Sequence, residues 1–177
     1  RDVSLLPLVM ERLEQDLRAW GEDLEHPLIA TLYLGGGTPS VLKADELASL
    51  TNAARKAFDT SSLLEATLEA NPGTVAPAWL REARNLGWDR ISLGIQSLDD
   101  VLLRRLGRIH DAETGLAALR QAREAGFTRI SADLMIGIPG QDLSRVLSDA
   151  RNLVSEGANH LSIYMLDLDK ACPLKAQ

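Results

Sequence analysis

The sequence predicts a parallel α/β fold, read as part of a (β/α) barrel, and two observations carry that prediction. Short apolar runs with the length of buried strands alternate with amphipathic helical patterns. One strand–helix unit recurs about every 30 residues with short connections, as βαβ units do. A doubly wound sheet has the same periodicity, so this alternative stays open.

The predicted elements follow from apolar spacing and from glycine or proline at the boundaries. Strands are expected over residues 29–34, 63–69, 90–96, 128–138 and 160–166, and helices over residues 3–20, 45–58, 76–85, 99–106, 112–125 and 143–155. Gly21 is expected to stop the first helix. A repeating strand–helix fold that starts on a helix suggests that a preceding strand is missing. Trp20, Trp79 and Trp88 are expected in the core, and His110 in a solvated loop.

Composition excludes several classes of function. The net charge of −6, from 25 acidic and 19 basic side chains, argues against a general nucleic-acid binder. No apolar run is long enough to cross a bilayer and no basic-then-apolar leader is present, so a cytoplasmic protein is expected. Neither GxGxxG after a strand nor GxxxxGK[ST] occurs, so the dinucleotide and P-loop fingerprints are missing.

The segment IATLYLGGGTPS, residues 29–40, is the most informative stretch. Its apolar half has the character of a buried strand, which ends at three consecutive glycines followed by Thr38. Bare backbone at a strand end lets a ligand approach the main chain closely. A tight turn before the next helix is the alternative, and three glycines in a row make it the less favoured one.

Polar side chains stand at the ends of the later strands. Glu69 ends the second strand, Gln96 the third, and Asp133 lies within the apolar fourth, while Arg108 follows the third strand in a loop. Ligands of parallel α/β folds sit at the carboxyl ends of the strands, and carboxylates in apolar surroundings need donors or a cation. These groups together suit an amino acid joined to a nucleoside.

Five motifs in order resemble one family. They are YLGGGTPS (residues 33–40), LEANPGT (68–74), RISLGIQSL (90–98), LGRIH (106–110) and DLMIGIPGQ (133–141). The chain resembles oxygen-independent coproporphyrinogen III oxidase and its HemW-type haem-chaperone relatives, in the radical S-adenosylmethionine (SAM) superfamily. LEANPGT and GIPGQ are closer to the HemW-type branch.

The resemblance implies a partial (β/α)6 TIM-type barrel of parallel strands with SAM across the strand ends. Gly36 resembles the glycine whose backbone meets the methionyl amino group of SAM. Gly37 and Thr38 resemble contacts on the same ridge.

Five further residues are carried over as cofactor contacts by the same resemblance. Glu69 resembles the glutamate that holds SAM, and Gln96, Arg108 and Asp133 resemble polar residues that hold SAM or a second SAM. Met165 falls at a main-chain contact position. None of these residues is assigned as a catalytic acid or base, since they position SAM rather than transfer protons.

The largest departure from the family is the missing CxxxCxxC motif, whose thiolates hold a [4Fe-4S] cluster. The single cysteine, Cys172, cannot replace it. We therefore expect residues 1–177 to be a fragment of the radical SAM core, without its first strand, cluster loop and C-terminal region. The cluster ligands are expected upstream of Arg1, and the fragment alone is expected to bind no iron and to be inactive.

The resemblance implies a haem chaperone, which binds haem or a porphyrin and passes it to an acceptor protein. The alternative is an oxidase that uses a SAM-derived radical to decarboxylate the propionates of coproporphyrinogen III. An unrelated α/β binding domain is a third and weaker reading, because the five motifs recur in order.

Overall fold

Five parallel strands form a single sheet in the computed structural model, which describes residues 3–167. The strands are β1 (Thr31–Leu34), β2 (Glu65–Ala70), β3 (Arg90–Gln96), β4 (Arg129–Ile136) and β5 (His160–Met165). Their order across the sheet is their order along the chain. In a doubly wound sheet, the order of the strands reverses at a switch point. The five described strands show no such reversal, so that alternative is wrong and the sheet is of the barrel type.

Helices connect the strands at nearly the predicted positions. They are α1 (Leu6–Asp23), α2 (Ala44–Ala57), α3 (Pro77–Asn85), α4 (Asp100–Arg105), α5 (Ala112–Glu124) and α6 (Leu143–Ser155). Asp99, Asp111 and Asp142 begin α4, α5 and α6 by accepting hydrogen bonds from backbone N–H groups of the first turn. None of the described helices has the length and apolar character needed to cross a membrane.

The two faces of the sheet have opposite chemistry because side chains alternate along each strand. On the helix side, Leu68, Ile91, Leu93, Ile130 and Leu134 are buried in the core. They pack there with helix residues that are also buried, namely Leu47, Leu80, Leu119 and Leu153. Because the alternate side chains of each strand enter this apolar layer, the remaining ones lie on the inner face of the barrel.

The inner face is polar along its whole height. At the amino ends of the strands Arg129 pairs with Asp89 at 2.9 Å and with Glu65 at 3.5 Å, and Arg90 reaches Glu65 at 3.6 Å. Small hydroxyl side chains follow in the middle, and the carboxyl ends carry the larger polar groups described below. The ion pairs and the candidate site therefore lie at opposite ends of the same face.

Two predictions for α1 are wrong. The helix does not stop at Gly21 but continues to Asp23, because Gly21 is buried against α2. A Cβ atom at this position would lie 2.5 Å from the carbonyl oxygen of Ala57, so the glycine serves close helix packing. Trp20 is 58% exposed rather than in the core, whereas Trp79 and Trp88 are buried as predicted.

Candidate functional site

A half-open cavity of about 230 Å³ lies at the carboxyl ends of the strands. Its lining is Gly36, Thr38, Glu69, Ala70, Asn71, Ser92, Gly94, Gln96, Arg108, Asp133 and Tyr164. Six of the eight residues predicted as cofactor contacts are among them, drawn from five separate segments of the chain. Ligand pockets commonly measure about 300–1,000 Å³, so a nucleoside-sized ligand would extend beyond the open side.

Glu69 is held in place by two donors from the first strand and its loop. The phenolic OH of Tyr33 donates to Glu69 Oε1 at 2.6 Å, and the backbone N–H of Gly36 donates to Oε2 at 2.9 Å. Partial burial and the hydrogen bond to Glu69 raise the pKa of Tyr33, so the phenol stays a donor at neutral pH. The carboxylate is thereby oriented before any ligand arrives.

Two of the glycines at the end of β1, Gly35 and Gly36, have different roles. A Cβ atom at Gly35 would lie 2.5 Å from Tyr33 Cε1 and 2.8 Å from Glu69, so Gly35 makes room for that pair. Gly36 has φ of 99°, a conformation that favours glycine, and nothing lies within 4 Å of a Cβ built there. The main chain at Gly36 is therefore open to a ligand. Thr38 also has a positive φ, 114°, which is strained for a β-branched residue.

Asp133 is the second carboxylate of the cavity. Ser92 Oγ donates to its Oδ1 at 3.0 Å. Burial raises the pKa of Asp133, and the negative charge of Glu69 adds to that shift, while hydrogen bonds from Ser92 and Ser162 oppose it. A cationic group of a ligand between the two carboxylates would offset the cost of desolvation and relieve the repulsion.

Gln96 and Arg108 complete the polar lining on the side of β3. Arg108 Nη2 donates to the carbonyl oxygen of Gly94 at 2.7 Å, which brings its loop back onto the strand. Gln96 Oε1 is buried and has no hydrogen-bond partner among residues 3–167. A buried acceptor of this kind normally has a donor, so the unpaired oxygen of Gln96 indicates that a ligand in the cavity supplies one.

Gly37 and Met165 are not brought to the polar cavity. Gly37 lines a separate, mainly apolar cavity of about 450 Å³ between α1 and the glycine loop, together with Val9, Met10 and Leu42. Met165, at the end of β5, is 76% exposed. Its predicted contact is through the main chain, and that stays a prediction.

Tyr33 and Tyr164 belong to the site, although the family resemblance assigns neither as a cofactor contact. Both lie on the inner face, Tyr33 bound to Glu69 and Tyr164 lining the cavity. The signal that identifies them is the alternation of apolar and polar residues in TLYL and HLSIYM, which puts both tyrosines on the same face as the carboxylates. The prediction that His110 is solvated is wrong, since it is buried and its Nε2 lies 3.1 Å from the carbonyl oxygen of Ile95.

The arrangement is suited to binding rather than to acid–base chemistry. Two carboxylates, a side-chain amide, a guanidinium group and open backbone surround the cavity, and they match a ligand with an amino group, hydroxyls and a carboxylate. Across residues 3–167 no group of three or more His, Cys, Asp or Glu side chains is placed to hold a metal ion. Cys172 lies outside the described residues.

Comparison with known families identifies the fold family. The model of the radical SAM superfamily matches residues 6–153, most of the chain. The chain belongs to the radical SAM superfamily. Members of this superfamily use SAM and a [4Fe-4S] cluster, which agrees with the cofactors that the motifs imply.

Two curated relatives carry the resemblance further. The heme chaperone HemW of Haemophilus influenzae is 36% identical over 161 residues, which cover 91% of this chain and 42% of that protein. The mitochondrial radical S-adenosyl methionine domain-containing protein 1 of Bos taurus is 35% identical over 149 residues, covering 84% of this chain and 34% of that protein. The chain thus spans about two fifths or less of the length of these relatives.

A solved structure confirms the architecture. Coproporphyrinogen III oxidase (HemN) from Escherichia coli, described as a radical SAM enzyme, aligns with a TM-score of 0.85 at 25% identity. The match covers 94% of this chain and 38% of that chain. The five described strands therefore correspond to part of a TIM-type radical SAM barrel, as the motifs predict.

The cavity and the two cofactors can be compared directly. The hydrogen-bond acceptors of Glu69, Asp133 and Gln96 fit the amino group and hydroxyls of SAM, which are donors, and the buried acceptor of Gln96 lacks only such a donor. The [4Fe-4S] cluster does not fit this chain's own residues, because one cysteine cannot supply three thiolates.

Proposed function

We propose that residues 1–177 are part of the radical SAM core of a haem chaperone and that the polar cavity binds SAM. The observation that carries the SAM site is the convergence of Gly36, Glu69, Gln96, Arg108 and Asp133 on one cavity at the strand ends. The name of the Haemophilus relative supports the chaperone. Haem or a porphyrin is then the cargo, and a haem-acceptor protein the partner.

Each of the six predicted contacts that line the cavity has a binding role in this proposal. Glu69 and Asp133 accept hydrogen bonds from the methionyl amino group or the ribose hydroxyls, and the backbone at Gly36 and Thr38 lies along the same ligand edge. Gln96 Oε1 accepts a further N–H or O–H of the ligand. Arg108 supplies positive charge for the ligand carboxylate.

The cluster would be held by cysteines that this sequence does not contain. SAM bound beside a reduced [4Fe-4S] cluster supplies radical chemistry. What the described residues contribute is orientation of SAM and exclusion of water from its reactive end.

Glu69→Gln in the full-length protein tests the SAM site. The variant keeps the size of the side chain but loses its charge and one acceptor, so we expect SAM to bind at least about tenfold more weakly in calorimetry. Glu65→Gln is the matched control, because Glu65 lies on the same face of β2 at its other end, outside the cavity. Equal affinities of wild type and Glu69→Gln would overturn the site.

The chaperone and the oxidase are separated by supplying full-length protein with coproporphyrinogen III, SAM and a reductant. The structural match to HemN is the observation that favours the oxidase. We expect this mixture to release no carbon dioxide. When haem is supplied instead, we expect it to bind, which its absorption spectrum measures. Formation of protoporphyrinogen with release of carbon dioxide would establish the oxidase instead.

A further inference from the structure

The end of β3 has an unusual backbone. Gln96 has φ of 73°, a left-handed conformation that residues other than glycine adopt infrequently. The pairing with β4 is irregular just before it, because Leu93 pairs with Ala132 and Gln96 with Leu134, so two residues of β3 oppose one residue of β4. Bulges of this kind re-aim side chains beside functional sites. The strain persists only if the surrounding structure holds it.

One support comes from α6. Asp149 is only 3% exposed, and its Oδ2 accepts hydrogen bonds from Ser97 Oγ and from the backbone N–H of Leu98, each at 2.9 Å. Both donors belong to the two residues that follow Gln96. A carboxylate is costly to bury unless it is hydrogen-bonded, so this contact fixes the chain on the far side of Gln96.

A second support comes from the loop between α4 and α5. His110 is 6% exposed, and its Nε2 lies 3.1 Å from the carbonyl oxygen of Ile95, the residue that precedes Gln96. Burial lowers the pKa of His110, so the ring is neutral and Nε2 carries the hydrogen that Ile95 accepts. The backbone is therefore anchored immediately before and immediately after Gln96.

We propose that Asp149 and His110 are positioning residues that hold Gln96 in its left-handed conformation and so place its side-chain amide in the polar cavity. The ligand group that Gln96 receives is an N–H or O–H donor, because Oε1 is a buried acceptor without a partner among residues 3–167. This inference rests on the proposed SAM site. It adds two residues that do not line the cavity and act through Gln96.

Asp149→Asn in the full-length protein tests this role with two readouts. Asparagine is neutral, so the two hydrogen bonds that Oδ2 accepts are no longer made to a charged carboxylate and become weaker. In a crystal structure of the variant without ligand, we expect Gln96 to return to negative φ. In calorimetry, we expect SAM to bind about tenfold more weakly, and no weaker in Asp149→Asn/Gln96→Ala than in Gln96→Ala alone.

Asp142→Asn is the matched control, since Asp142 is the exposed cap of the same helix and asparagine caps equally well. If Asp149→Asn does not fold, Ser97→Ala is judged by the same readouts. It removes the hydroxyl that donates to Asp149 and accepts from the backbone N–H of Asp99, and it leaves the bond from Leu98 to Asp149 in place. A left-handed Gln96 in the variant, or an equal loss of affinity with and without Gln96, overturns the inference. The crystal structure of the variant needs no ligand. It therefore tests the conformation of Gln96 even when wild type fails to bind SAM and the proposed function is wrong.

Discussion

Asp133 shows at the scale of one residue how a binding site opposes stability. The side chain of Asp133 is partly buried on the inner face of β4, in the same cavity as the carboxylate of Glu69, and burial raises the pKa of Asp133. The pKa is higher in the folded chain than in the unfolded chain. Ionisation of Asp133 therefore costs folding free energy, and this cost is complete above the folded pKa and absent below the unfolded value of about 3.9.

Asp133→Asn is expected to raise the free energy of unfolding at pH 7 and to weaken SAM binding. Because the cost of ionisation disappears as the pH falls, the stabilisation should shrink towards pH 4. Denaturant unfolding of wild type and variant between pH 4 and pH 7 measures this difference. A stabilisation that grows on acidification would contradict the assigned cause.

Single residues also show what the sequence can reveal about the site. Glu69 and Asp133 stand out because a carboxylate in an apolar run needs a special reason. Tyr33 does not stand out, because tyrosine is an ordinary strand residue and its partner Glu69 is 36 positions away. The left-handed backbone of Gln96 is hidden too, since it arises from an irregular pairing with β4 and not from local sequence.

At the scale of elements, α1 and α2 approach each other closely at Gly21. Gly21→Ala would gain up to about 1 kcal/mol from helix propensity. The new Cβ would lie 2.5 Å from Ala57 O and 2.7 Å from Ala57 Cα, both backbone atoms that cannot move aside without shifting α2. Overpacking costs about 1–3 kcal/mol, so we expect net destabilisation, measured by thermal or denaturant unfolding.

Gly115→Ala in α5 is the matched control. There the new Cβ would lie 3.4 Å from Ile95 Cδ1, an ordinary contact with a side chain. Helix propensity should then dominate, and we expect stability to rise by up to about 1 kcal/mol. Similar losses in the two variants would show that packing against Ala57 is not the reason for Gly21.

The same glycine explains the error in predicting α1. A glycine after an amphipathic helix normally marks its end, and only the neighbouring helix reveals that Gly21 serves packing. Trp20 was misplaced because helical spacing identifies an apolar side but not whether a partner covers it. The strand positions were predictable, since boundaries marked by glycine and proline are local signals.

For the whole molecule, SAM binding and folding are linked. A ligand that binds only the folded chain at a hundred times its Kd raises the free energy of unfolding by about 2.7 kcal/mol. We expect SAM to raise the melting temperature of the full-length protein in a concentration-dependent way, measured by thermal unfolding. Methionine alone should raise the melting temperature less than SAM does, because it keeps the amino group and the carboxylate but lacks the ribose hydroxyls. An unchanged melting temperature at saturating SAM would contradict the linkage.

The barrel type was also a property that periodicity could not decide. Strand–helix alternation is common to barrels and doubly wound sheets, and strand order emerges only when the strands pair. The family motifs resolved it because they carry information about the complete fold.

The opposite chemistry of the two sheet faces sets a limit on how this chain can change length. Inserting one residue in the middle of β2 would turn Glu69 into the leucine-rich layer and send Leu68 into the cavity. Insertions and deletions should therefore be confined to the loops, where one added or lost residue does not move strand side chains to the opposite face of the sheet.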